Sequence, residues 1–312
     1  MGATVTEAKP RAQSTDPDGQ SIVPDKYYND VVLSYRVGIV GLGQMGRAML
    51  TRFRAQGVSA TGFDVAPALS EVGTLAELVK ASDVIILSLP DGRAVASVVS
   101  ELVPIGRERL VVIDCSTCEP ETARRASKTL AERGAAFLDA PVSGGRTGAQ
   151  EGTLTILVGG PRTIFDDVHP LLGTLAKRIV HVGDVGSGQI AKLANNLLVA
   201  IHLVSFSEAV RLGRAAGVEP EELVEAINAC SGRSAVSEIN FPRWIASESY
   251  DSGFSMGLMR KDVRTALELA SRVSLDLPMA ECAGGLWNDR ASTIDDEEDF
   301  NRMAALEPLN RR

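Results

Sequence analysis

At 312 residues and 45% hydrophobic composition, the chain is long enough for one large or two ordinary domains, each with its own buried core. A formal net charge of −8, with no Lys/Arg-rich block to offset it, opposes nonspecific attraction to nucleic acid, so none is expected as a partner and any anionic ligand must be captured locally. No run of roughly eighteen or more apolar residues occurs, so no membrane partner is expected either.

Residues 1–34 carry Pro10, Pro17, Gly19 and Pro24 among scattered aspartates and lack the apolar core of a secretory signal, which predicts a flexible arm. From Arg36 onward, short β-branched runs alternate with helical periods, the pattern of a parallel, doubly wound α/β sheet. The expected strands are Val37 to Gly41, Ala60 to Phe63, Val84 to Leu89, Leu110 to Asp114 and Ala136 to Asp139. Thr74 to Glu77 has capping-box spacing, and Pro120 stands where the first turn of a helix tolerates it. Two further strands, Thr153 to Val158 and Ile179 to Val182, extend the sheet.

Composition changes at Gly183 to Gly188, after which apolar residues recur at helical spacing and no strand is expected. The first helix there, about 189–216, is so apolar between Leu193 and Phe206 that it needs cover on several sides. That predicts a spine between two domains or subunits, and a homodimer or homotetramer. Further helices are expected over 220–230, 257–273, 277–290 and 298–306, with the acidic run Asp295 to Asp299 as a solvated helix start. Cys115, Cys118, Cys230 and Cys282 include one Cys-x-x-Cys spacing and no second pair. Reduced thiols with no metal site are therefore expected, and with them a cytoplasmic compartment.

Gly41, Leu42, Gly43, Gln44, Met45 and Gly46 fit G-x-G-x-x-G. The motif is weak alone, but here it follows an expected strand and opens a helical pattern, which is the context that gives it meaning. Gly41 allows the tight turn, Gly43 lets the backbone approach a pyrophosphate, and Gly46 lets helix and strand pack closely. Asp64, at the end of the second strand, is placed to accept hydrogen bonds from an adenosine ribose and to repel a 2′-phosphate. No arginine occupies positions 65 to 70, so NAD is expected over NADP. Leu89 and Pro90 end one strand and Ser116 and Thr117 follow another, so all four should lie along the cofactor, Ser116 and Thr117 beside the nicotinamide. The division expected is therefore a Rossmann domain over 35–186 and an all-helical domain over 187–312.

Two more segments carry chemistry. Lys192 and Asn196 are i and i+4 on one helix, so an ammonium and an amide emerge on one face. Burial and a neighbouring positive nicotinamide would both lower the lysine pKa toward the range useful for acid/base work. Ser143, Gly144 and Gly145 form a turn able to aim backbone N–H groups at a carboxylate. Arg146 follows directly and could hold a second anionic group.

With Asp139 to Gly145, Gly186 to Asn196, Ser116-Thr117 and Lys261-Asp262 in register, the chain resembles the β-hydroxyacid dehydrogenase family from about Val37 to Leu306. The resemblance implies a small anionic hydroxyacid as substrate, NAD as cofactor and Lys192 as general acid/base. It further implies Asn196 beside Lys192, a substrate-binding role for Ser116, Ser143, Gly144 and Gly145, and Lys261 against the cofactor. Imine reductases of related fold generally lack the lysine, and a non-catalytic nucleotide-binding module would have no use for it, so Lys192 argues against both.

Overall fold

The computed structural model describes residues 32–289 and 293–305; the arm expected over 1–34 lies almost wholly outside the described residues. Strands and helices alternate as β1 (Arg36–Val40), α1 (Gln44–Ala55), β2 (Ser59–Phe63), α2 (Leu75–Ala81), β3 (Val84–Leu87), α3 (Gly92–Ile105), β4 (Val111–Asp114), α4 (Pro120–Ala131) and β5 (Ala136–Asp139). These are followed by β6 (Val142–Ser143), α5 (Gly145–Glu151), β7 (Leu154–Gly159), α6 (Arg162–Leu172) and β8 (Ala176–Gly183).

The first five strands are parallel, in the spatial order β2-β1-β3-β4-β5. Strand β3 shows why the sequence builds a two-faced sheet. All four of its residues are buried, and they alternate sides: Val84 and Ile86 join α1 and α6 in one core, while Ile85 and Leu87 join α2, α3 and α4 in the other. A strand covered on both faces reads as a continuous apolar run, as this one does. The chain leaves β1 toward β2 on one side and returns to β3 on the other. That reversal opens a crevice at the carboxyl ends of β1 and β3, the usual ligand position in such sheets.

The sheet is mixed rather than parallel throughout. Strand β7 runs antiparallel to β5 and β6, and parallel to β8. The seven residues of α5 span only about 10 Å, enough to reverse the chain but not to return it for another parallel strand. The expected capping box is also adjusted by one residue. Thr74 Oγ1 accepts from Glu77 N at 3.2 Å, whereas the Glu77 carboxylate accepts from Gly73 N at 2.9 Å.

The remaining elements are α7 (Ser187–Ala215), α8 (Pro220–Asn228), a π-helix (Val236–Ile245), α9 (Met256–Arg272), α10 (Pro278–Asp289) and a 3-10 helix (Phe300–Ala304). At 29 residues, α7 is about 44 Å long. It starts against β5, β7 and β8 and continues through a separate helical core that includes Ala200, Leu203, Val210, Phe241 and Trp287. By length and composition α7 could cross a membrane, yet its first turns bury Gln189, Lys192 and Asn196, whose polar groups require protein partners. Near the chain's end the expected α-helix over 298–306 is a short 3-10 turn. Asp299 is not solvated: it is buried, and its carboxylate accepts from the Ser252 and Asn301 backbone amides at 2.7 and 3.0 Å.

The sequence pattern gave no sign of the π-helix. Its buried residues, Val236, Ser237, Asn240, Phe241 and Ile245, recur every four to five positions, as i→i+5 bonding requires, and Pro242 interrupts any 3.6-residue reading.

Candidate active site

The glycine-rich turn sits between β1 and α1, at the crevice. Gly41 has φ +92°, and a Cβ there would lie 2.3 Å from the Ser88 carbonyl oxygen; one on Gly46 would lie 1.8 Å from the Gly41 carbonyl oxygen. Only glycine permits this contact of helix and strand. Gly43 is different: a Cβ there would meet nothing within 4 Å. No side chain caps α1 at Gly43, so the first-turn amides at Gln44, Met45 and Gly46 are donors without helical partners. An open approach above uncapped amides at a helix start fits a dinucleotide pyrophosphate. Leu42 contributes differently, for its side chain is buried and its amide donates to Asp64 Oδ2 at 2.7 Å. Asp64 Oδ1 accepts from Ala66 N at 2.8 Å. The carboxylate thus ties the glycine turn to the end of β2 while remaining half-buried at the crevice.

Lys192 is 6% exposed, and among the described residues it has no hydrogen-bond or salt-bridge partner. Burial in these surroundings lowers its pKa to about 8, helped by the nearby Lys261 ammonium and opposed by Asp262. Asn196 emerges one turn further on, also buried. Its Nδ2 donates to Asp262 Oδ2 at 2.6 Å, and its Oδ1 accepts from Asn195 Nδ2 at 3.1 Å. Asp262 Oδ1 lies 3.2 Å from Lys261 Nζ, a charge contact without hydrogen-bond geometry. Lys261 Nζ in turn donates to Thr117 O at 2.7 Å and Pro90 O at 3.4 Å. One chain of contacts therefore runs from Asn196 on α7, through α9, to the loops after β3 and β4. It brings Asn196, Lys261, Pro90 and Thr117 together beside Lys192.

Ser116 points inward. Its hydroxyl accepts from Leu89 N at 2.9 Å, and its amide donates to Asp114 Oδ1 at 3.0 Å. In this arrangement Ser116 joins the ends of β3 and β4. Asp114 is fully buried, and burial pushes its pKa up to about 7, with the Asp139 charge adding to the rise. The buried thiols of Cys115 and Cys118 are raised by the same desolvation, which keeps them protonated and unreactive.

Ser143 is half-buried, its backbone paired with Thr155 across β6 and β7. Gly144 and Gly145 follow with φ +123° and +62°. A Cβ on Gly145 would come within 3.3 Å of the Ser252 carbonyl, so this turn faces the loop before α9. Arg146 is exposed.

Residue patterns alone did not point to Asp139 and Gln189 as organisers of the site. The buried Asp139 carboxylate caps α7, accepting from Gly186 N at 2.7 Å and Gln189 N at 2.9 Å. Its partners lie on a different element 47 and 50 residues away, beyond any local signal. Gln189 is three residues before Lys192, and that helical spacing was the one available clue.

Residues 36–183 match the family model described as the NAD binding domain of 6-phosphogluconate dehydrogenase, and residues 186–306 match that described as the NAD-binding of NADP-dependent 3-hydroxyisobutyrate dehydrogenase. The chain is 36% identical to the 2-(hydroxymethyl)glutarate dehydrogenase of Eubacterium barkeri, over 80% of this chain and 87% of that one. It is 34% identical to the 3-hydroxyisobutyrate dehydrogenase of Pseudomonas aeruginosa, over 86% and 97%. The solved structure of the Mycobacterium tuberculosis 3-hydroxyisobutyrate dehydrogenase with L-serine superposes with a TM-score of 0.82 at 28% identity, covering 86% of this chain and 98% of that one. Likeness of this extent, over both the sheet and the helical part, makes the chain a member of the β-hydroxyacid dehydrogenase family of NAD-binding oxidoreductases.

Proposed function

We propose that this chain interconverts a small hydroxyacid of the 3-hydroxyisobutyrate class and its semialdehyde or keto partner, with Lys192 as the acid/base. The observation that carries the reading is a buried lysine without an ion-pair partner, its pKa lowered to about 8 by burial, beside the contacts by which Asn196, Asp262 and Lys261 reach the loops at the strand ends. NAD, when bound, supplies the hydride acceptor or donor. The Gly41 to Gly46 turn, Asp64, Leu89, Pro90, Thr117 and Lys261 would hold it, and the Asp64 carboxylate favours a free ribose hydroxyl over a 2′-phosphate.

In the oxidising direction neutral Lys192 takes the hydroxyl proton on Nζ; in the reducing direction its ammonium polarises the carbonyl oxygen and returns the proton. Asn196 donates one amide hydrogen to Asp262, leaving its second to orient the reacting oxygen. The Ser143 to Gly145 turn offers backbone N–H groups to the substrate carboxylate. The matched relatives are named for 2-(hydroxymethyl)glutarate and 3-hydroxyisobutyrate, which supports a small hydroxyacid. A homodimer or homotetramer is the assembly we propose, because α7 leaves Leu198 55% and Leu212 73% exposed.

A panel of 2- and 3-hydroxyacids, including a dicarboxylate to engage Arg146, tests the reading with NAD⁺ and NADP⁺ beside Lys192→Ala. Turnover of at least one compound with NAD⁺, lost in the variant, is expected. Turnover that survives Lys192→Ala contradicts it.

A further inference from the structure

Gln189 is completely buried at the start of α7, and its carboxamide is used at both ends. Nε2 donates to Ser116 O at 2.8 Å, and Oε1 accepts from Cys118 N at 3.0 Å. The side chain thus straddles Thr117, whose own carbonyl oxygen accepts from Lys261 Nζ at 2.7 Å. The loop after β4 is gripped by two helices, by an amide from α7 and an ammonium from α9. The root of α7 has little freedom to drift. The Asp139 carboxylate accepts from its first amides, and a Cβ on Gly188 would lie 2.4 Å from the Leu157 carbonyl oxygen. Gln189 and Lys192 are i and i+3, on one helix face.

From this juxtaposition we infer that Gln189 is a positioning residue, holding the Ser116 to Cys118 loop and the Lys192 face of α7 at one fixed spacing. It does not touch the reacting atoms. It sets how far the acid/base stands from the loop that flanks the nicotinamide, and an error of about 1 Å in such a distance costs on the order of 100-fold in rate. The loop presents one carbonyl and one N–H two residues apart, and the Gln189 carboxamide supplies one donor and one acceptor to match. The inference rests on the acid/base reading of Lys192.

Two variants test it. Gln189→Met keeps the length without the hydrogen bonds. It should lower kcat about 10- to 100-fold with the hydroxyacid KM nearly unchanged. Without cofactor, it should also speed hydrogen exchange in peptides containing the Cys118 amide. Gln189→Glu donates to Ser116 O only when protonated. Asp114 and Asp139 at the strand ends raise its pKa, and Lys192 and Lys261 oppose them. Its kcat for oxidation should therefore fall at alkaline pH, where the native enzyme gains, and recover toward neutral pH. A native kcat in Gln189→Met, or a Gln189→Glu pH profile parallel to the native one, overturns the inference while an inactive Lys192→Ala leaves the acid/base reading intact. Activity surviving in Lys192→Ala overturns both.

Discussion

Asp262 is the residue through which the charges of the site are coupled. It stands between Asn196 and Lys261, and its negative charge favours the ammonium form of Lys192 against burial and the Lys261 charge. Asp262→Asn keeps the shape and an acceptor for Asn196 but removes the charge, so the Lys192 pKa should fall further, by about one unit. The rise of kcat/KM with pH in the oxidising direction should move toward acid by the same amount. An unmoved midpoint would contradict the coupling. Lys192 and Asn196 were legible from the sequence because i and i+4 residues share a face whatever the tertiary fold. The inward turn of Ser116 was not, because it depends on Leu89 and Asp114 meeting across two strands.

Among the elements, the carboxyl ends of β4 and β5 combine two buried carboxylates. Asp114 and Asp139 are register partners, and burial raises both from the ordinary aspartate value. For Asp114, between the unfolded value of 3.8 and about 7, the folded chain binds a proton that the unfolded chain has released. Stability therefore falls as pH rises through that window. Asp114→Asn should flatten the fall in Tm between about pH 4 and pH 7, by a few degrees; slopes equal to the native ones would show that Asp114 does not titrate this way. The elements themselves were readable where one physical pattern dominated: the fully apolar β3, the glycine turn before α1 and the long α7. The antiparallel β7 and the π-helix were hidden because the first depends on how α5 reverses the chain and the second has a period that sequence patterns rarely carry.

For the whole molecule, α7 links the sheet to the helical part: it roots against β5, β7 and β8 and extends away from them into the helical core. The homodimer or homotetramer proposed above would cover its exposed leucines, with Ile239 50% exposed on the π-helix. Light scattering should therefore return a dimer or tetramer, and a monomer at micromolar concentration would refute that assembly. The fold class followed from alternating patterns and the glycine turn, whereas the joining of two regions into one site rests on contacts between Lys261 and the distant loops at Pro90 and Thr117.

The most direct test of the account is the pH dependence of kcat/KM for NAD⁺-dependent oxidation of a panel hydroxyacid, measured for the native chain and Lys192→Ala. The account predicts a rise governed by one group with a midpoint near about 8, and in the variant a loss of about 100- to 10,000-fold with that midpoint gone. The same midpoint persisting in Lys192→Ala would contradict it.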